Sequence, residues 1–355
     1  MQALPIAFPT AMMSAGFWGC DMNCPTVVRL PRVFLLGLVW MLAGLAAAQA
    51  VEFKTVTIKV GYGAGGNYDL SSRLIARHLG RFLPGHPDII VQNVPGGGSL
   101  KLTKMMLGSE PADGSVIASV SEAMPFAPTF DPANANFDPL TMQWIGALSS
   151  EPCLCVTSKA SGIDTVEKFL AQEFLIGASG KNSLSYIAAA LVKNGLNAKF
   201  GIVTGFEGSA DILVASQRGE VAGLCALPYY GIADKLDQFN ILGTIGPGTV
   251  AAAPTLPRFS DQIKDPLTRQ AAQFIEFSRG FYLPLMAPPG IPHDTLDALR
   301  KAYVDMSKDP DFLADAAKMG GITVDITPGE EIATQVAQEL KADPAVFEAA
   351  RNLLK

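Results

Sequence analysis

Residues 61–69 read Gly61-Tyr62-Gly63-Ala64-Gly65-Gly66-Asn67-Tyr68-Asp69. They follow an apolar run at 56–60 and precede a segment whose Leu70, Leu74, Leu79, Phe82 and Leu83 share one helical face. Hydrophobic period two gives way to period 3.6 across the stretch, so it is the turn of a strand–turn–helix unit. Glycine lets a backbone take positive φ and approach a ligand closely. The helix that follows offers unpaired N–H groups and the positive end of its dipole. Such a turn can hold a carboxylate or phosphate without a fixed positive charge.

The same device recurs three times. A strand-like run at 89–94 leads into Pro95-Gly96-Gly97-Gly98-Ser99, one at 174–178 into Ser179-Gly180-Lys181-Asn182-Ser183, and one at 200–204 into Gly205-Phe206-Glu207-Gly208-Ser209, each before a helical pattern. Asn67, Ser99, Ser183 and Ser209 suit helix N-caps. A single turn of this kind is commonly only structural in an α/β protein. Two pairs of them, where ligands of open α/β sheets bind, make a stronger case. Lys181 can meet a ligand carboxylate directly or stand solvated in its loop. Asp69 can cap its helix or orient bound water, and orientation is favoured, since a bare carboxylate facing an anion repels it. Tyr62 and Tyr68 can line a cleft or cover a hinge, and Ser121 and Glu122 stand at a rim position after a third strand.

Further strands are expected at 116–120, 144–148, 154–157, 221–226, 241–245 and 322–326, and helices at 183–194, 294–308 and around Phe312, Ala316 and Met319. This alternation predicts an α/β fold with largely parallel sheets. Residues 51–355 are many for one core, so two lobes are expected. Extended runs beside proline at 152–159 and 281–289 place the crossings. Lobe 1 is then 51–152 with 283–355, and lobe 2 is 153–282, joined by a two-stranded hinge with the ligand cleft between them.

The N-terminus reads as a targeting segment. Arg29 and Arg32 precede an apolar run at 33–48, and Ala48-Gln49-Ala50 offers a signal-peptidase site. The run falls short of the ~20 residues a membrane span needs. Residues 1–28 are long for a charged leader, and Met22 offers an alternative start. Removal of 1–50 leaves 25 basic and 32 acidic residues, a charge of -7. No basic face invites nucleic acid, and an acidic chain that binds an anion must use local dipoles. Of the cysteines that remain, Cys153 and Cys155 are read as small buried hydrophobes, with a bridge from Cys225 to either as the lesser reading.

Other chemistries find little support. Gly61, Gly63 and Gly66 spell the dinucleotide fingerprint, yet the next strand ends in Gln92-Asn93-Val94 with no acid for a ribose. His78, His86 and His293 lie near no nucleophile, and no G-x-S-x-G, H-E-x-x-H, P-loop or zinc spacing occurs. A secreted α/β hydrolase or a dinucleotide-binding oxidoreductase stays the alternative.

Residues 63–69, Gln92-Asn93-Val94-Pro95-Gly96-Gly97-Gly98-Ser99, Pro111-Ala112-Asp113-Gly114 and Arg218-Gly219-Glu220-Val221-Ala222-Gly223 carry a family resemblance in this order. Ala287-Pro288-Pro289-Gly290-Ile291-Pro292, Lys308-Asp309-Pro310-Asp311-Phe312 and Gly320-Gly321 continue it. Together they resemble the solute receptors of tripartite tricarboxylate transporters, the Bug or TctC-like family. The resemblance implies a type II periplasmic-binding-protein fold, no cofactor, a carboxylate ligand, a membrane permease as partner and a monomer in the periplasm. It carries binding roles to 64–69, 95–99, 179–183 and 205–209. Two departures mark a divergent branch. Gly63 and Tyr68 replace the usual Pro and Thr of the first loop, and Gly205-Phe206-Glu207-Gly208 replaces Pro-Tyr-Lys-Gly.

Overall fold

The computed structural model describes residues 51–149, 151–319 and 322–355. The targeting segment at 1–50 and Gly320-Gly321 lie outside the described residues.

Strands β1 (Thr55–Val60), β2 (Asp88–Asn93), β3 (Val116–Ser119) and β4 (Gln143–Ser149) belong to a first sheet. Strands β5 (Cys153–Ser158), β6 (Leu175–Ala178), β7 (Gly201–Thr204), β8 (Gly223–Leu227) and β9 (Phe239–Ile245) form a second. The chain then returns to the first sheet with β10 (Tyr282–Ala287) and β11 (Thr327–Pro328). The orders are β11-β4-β10-β3-β1-β2 and β7-β6-β8-β5-β9. Burial follows position. β5 and β10, flanked on both sides, are buried at every residue, whereas the edge strand β2 alternates exposed and half-buried residues.

Helices fill the connections: α1 (Asn67–Leu79), α2 (Leu100–Gly108), α3 (Val166–Ala171), α4 (Leu184–Gly195), α5 (Ser209–Gln217) and α6 (Pro266–Phe277). After β10 come α7 (His293–Ser307), α8 (Pro310–Lys318), α9 (Gly329–Glu339) and α10 (Pro344–Leu353). In α1, Leu74, Ile75 and Leu79 are buried, Asp69 sits in the first turn, and Arg77 and His78 in the last, matching the helix dipole. Helix α9 lies on β4, while α10 packs on α6 and α4: Phe347 meets Phe274 edge-on at 5.0 Å, and Asn194 Nδ2 donates to the Leu353 carbonyl at 2.6 Å.

The nine strands expected up to residue 245 are present within two residues of their expected ends. Three expectations are corrected. The sheets are mixed: β1–β2, β1–β3, β6–β7 and β6–β8 are parallel, and the pairs made by β5, β10 and β11 are antiparallel. A strand that enters a sheet from the other sheet need not obey the βαβ rule, which governs only crossovers within one sheet. The strand expected at 322–326 shrinks to Thr327–Pro328. Asp325 N–H does reach the Leu148 carbonyl at 3.1 Å, but Pro328 has no N–H to continue the ladder. Cys155 is bonded to Cys225 on the neighbouring strand, so the two are not simple buried hydrophobes. Cys153 stays a buried thiol that donates to the Ile245 carbonyl.

Candidate functional site

The four glycine-rich turns come from different sheets, and they meet. Gly63 N–H donates to the Glu207 carbonyl at 2.9 Å, tying the first turn to the fourth. Asn67 N–H, at the start of α1, points to Ser209 Oγ at 3.3 Å, at the start of α5. The second turn lies against the third: a Cβ on Gly98 would stand 2.4 Å from Ser183 N, and one on Gly180 would stand 2.8 Å from Gly98 N. Only glycine permits these approaches, and Gly98 also holds φ +66.

Between the turns lies a cavity of about 30 Å³. Tyr62, Tyr68 and Tyr282 give it an aromatic lining, Leu184, Ile212, Leu224 and Ala226 an aliphatic one, and Ser179, Ser185 and Ser209 its hydroxyls. Tyr62 and Tyr68 stack at 4.3 Å between ring centres, and Tyr282 meets Tyr68 edge-on at 5.8 Å. Tyr282 is the first residue of β10, where the chain re-enters the first sheet. Ala226 sits where the β5–β8 pairing shifts register, at φ +69, and Leu283 follows Tyr282 at φ +59. Strained non-glycine backbone at a cavity wall is typical of positions that aim a side chain for function.

Behind the tyrosines lies a buried polar layer. The Tyr68 hydroxyl donates to Glu122 Oε2, and both residues are buried. Burial, then the Glu122 charge, holds the Tyr68 phenol far above its ordinary range, so it keeps its proton. Tyr62 is pushed up by burial too, offset in part by its hydrogen bond with Ser121. Ser121 N–H in turn donates to Ser99 Oγ at 3.0 Å. Glu122 is therefore an interior group, not the rim residue that its position suggested.

Asp69 fixes the first turn from below. It accepts from Gly65 N–H at 2.9 Å, from Asn93 Nδ2 at 2.9 Å and from Arg73 Nε at 3.0 Å. Burial pushes its carboxyl upward, but the bonds from Arg73, Gly65 and Asn93 outweigh that and leave it below the ordinary value. Asp69 orients the turn, and it also commits the Gly65 N–H that could otherwise face an anion.

Of the expected site residues, Tyr62, Gly66, Asn67, Tyr68 and Ser179 line the cavity. Gly98, Gly180, Ser183 and Gly208 form the seams between turns, and Ser99 and Ser121 the layer behind. Ala64, Gly65, Gly97 and Gly205 are exposed, and Pro95 and Gly96 are half-buried in the second turn. Phe206 packs towards Gly177 on the strand behind. Lys181 is exposed and borders a separate hollow with Asp131 and Tyr186. Only Ser183 acts as the expected cap, accepting from Tyr186 N–H. Asn67 and Ser209 each sit one residue inside their helices, and the Ser99 hydroxyl bonds Ser121 instead. Tyr282, Ser185, Leu184, Ile212, Leu224 and Ala226 were not foreseen. Ser185 had a signal in its place two residues after a cap, where a second hydroxyl can turn back: its Oγ accepts from Ser179 N–H.

No family model matches the chain. A Cupriavidus necator protein described as "UPF0065 protein in gbd 5'region" is 26% identical over 322 residues, covering 86% of this chain and 92% of that one. Among solved structures, the periplasmic binding protein BugD superposes with a TM-score of 0.66 at 17% identity, over 83% of this chain and 96% of its own. MatC of Rhodopseudomonas palustris, solved with malate, gives 0.64 at 17% identity, over 85% and 99%. The fold is that of the type II periplasmic binding proteins, as expected. Within that class, the resemblance to the Bug and TctC-like receptors is borne out by these likenesses.

Proposed function

We propose that this protein is an exported solute receptor that closes on a small carboxylate and delivers it to a membrane permease. One observation carries the reading: four glycine-rich turns, drawn from two sheets, meet, and three of them line one cavity at helix N-termini. Amides and dipoles of that kind hold an anion in a chain whose net charge is itself negative. The lobes are 51–152 with 283–355, and 153–282, with α10 riding on the second. MatC was solved with malate, in keeping with a carboxylate ligand here. The Cys155–Cys225 bridge suits an oxidising compartment, hence the periplasm, reached by the leader at 1–50. The protein acts by binding and release, not by catalysis.

A thermal-shift screen over mono-, di- and tricarboxylates tests this. A ligand at a hundredfold excess over its Kd adds about 2.7 kcal/mol of stability. NMR of the recovered hit should find it unchanged. Turnover of the hit, or no stabilisation by any carboxylate, sinks the receptor reading.

A further inference from the structure

We infer that the Cys155–Cys225 bridge positions the ligand site: it pins a bulge in β8 that sets Ala226 in the cavity wall. The inference rests on the receptor reading and adds to its site two positioning residues that touch no ligand.

Three observations meet at one place on β5. First, the β5–β8 ladder loses step there. Its pairs are Thr157–Gly223, Val156–Leu224 and Leu154–Leu227. Between the last two, β5 has Cys155 alone, whereas β8 has both Cys225 and Ala226, so one residue faces two. The packing reflects this. Leu224 and Leu227 share a core cluster with Leu154 and Val156, while Cys225 and Ala226 both join a different one. Consecutive residues of a regular strand face opposite ways, so two neighbours in one cluster mark the extra residue. Second, Ala226 holds φ +69, and it lines the cavity together with Leu224. Alanine enters that region at a cost and persists there only where its surroundings hold it. Third, the ladders nearby give little hold. β8 pairs with β6 at Gly223, three residues earlier, and β9 carries an extra residue of its own, Leu242, opposite the same stretch of β5. What joins the strands at this point is the Cys155–Cys225 bond, which ties the single residue of β5 to the first of the two on β8. The bond thereby fixes Ala226 as the spare residue. Without it the spare position can slide along β8 or flatten, and a slip of one residue turns a side chain to the other face. Both cysteines are buried in the core, so they act on the ligand through Leu224 and Ala226.

The test is calorimetric titration of the exported protein with malate, succinate and 3-phenylpropionate, followed on whichever the wild type binds most tightly. Four proteins are compared: the wild type, Cys155→Ser with Cys225→Ser, Ala226→Gly, and all three substitutions together. Calorimetry reads Kd apart from stoichiometry, so a fraction of unfolded chain lowers the second without moving the first. Removing the bridge from the wild type is expected to raise Kd about tenfold, the population penalty of a left-handed alanine. Glycine takes positive φ freely, so in the Ala226→Gly background removing the bridge should raise Kd less than about threefold. A bridge that only adds stability would lower the melting temperature and leave Kd unchanged in both backgrounds, which overturns the inference while the receptor reading stands. An equal rise of Kd in both backgrounds overturns the role given to the bulge. Should the protein with only the two serine substitutions fail to fold, the triple variant decides: a Kd within about threefold of that of Ala226→Gly supports the inference, and weaker binding or failure to fold overturns it. Wild-type binding of none of the three acids, nor of any other carboxylate, overturns the receptor reading and the inference with it.

Discussion

At Gly180 a single methyl group decides whether two turns can meet. A Cβ there would stand 2.8 Å from Gly98 N and 2.9 Å from Gly97 C, backbone atoms that no rotamer change can move. Gly180→Ala should fold normally, because the clash exists only when the turns are together. Overpacking of this size costs about 1–3 kcal/mol, so ligand affinity should fall roughly ten- to hundredfold. Calorimetry with any hit from the carboxylate screen measures it, and unchanged affinity would remove the Gly98–Gly180 seam from the bound state. Asp69 gives a pH-dependent counterpart. Its folded carboxyl lies below its ordinary value, so its contribution is present above about pH 4 and lost as pH falls through the folded value. Asp69→Asn should cost about 2 kcal/mol at pH 7, typical of hydrogen bonds to a charged group. The gap from wild type should narrow below about pH 4; urea melts from pH 3 to 7 would show a constant gap if Asp69 were not ionised in the fold. At this scale the sequence was legible where backbone chemistry leaves a mark, as with Gly63, Gly66 and Gly98. It was silent on Tyr282, which reaches Tyr68 because the chain re-enters the first sheet at β10. Lys181 was suggested by its charge and its place in the third turn, and its side chain is exposed.

Among elements, strands and helices were legible because periodicity marks them, but their neighbours were not. Cys155 and Cys225 are 70 residues apart, and only the order β8-β5-β9 sets them side by side. Strand pairing between non-consecutive elements has no local signature, so the bridge could not be chosen from spacing. Breaking it with Cys155→Ser and Cys225→Ser together should lower stability by about 2–4 kcal/mol. Chemical denaturation of that variant reads the loss, and the denatured wild type treated with reductant should match it. A change below about 0.5 kcal/mol would mean that β5 and β8 are held by their ladder alone. The register shift at Ala226 was equally hidden, since a bulge is a property of two strands rather than of one.

For the whole molecule, the two-sheet plan was legible from the repeated turns and the chain's return to the first sheet from the proline-flanked run at 281–289, while the order of strands within each sheet was not. The cavity holds about 30 Å³ here. Small-molecule sites usually measure about 300–1,000 Å³, so entry of a ligand requires the turns to part. Small-angle scattering should therefore give a larger radius of gyration for the ligand-free protein than for the complex. Equal radii at saturating ligand would argue against a hinge. The strand order has one more consequence. β10 lies between β3 and β4, so the first sheet is incomplete until residue 287 has joined it, although four of its strands are made first. The second sheet is contiguous from residue 153 to 245 and needs nothing later for its pairing. A chain emerging N-terminus first must therefore keep its opening hundred residues waiting while the middle folds. Pulse-labelled hydrogen exchange during refolding should find amides of β5, β6 and β8 protected before those of β4 and β10, and the reverse order would contradict this. On the proposed route of export, an opening segment that cannot complete its own sheet is an advantage: it stays transportable until its tail has followed.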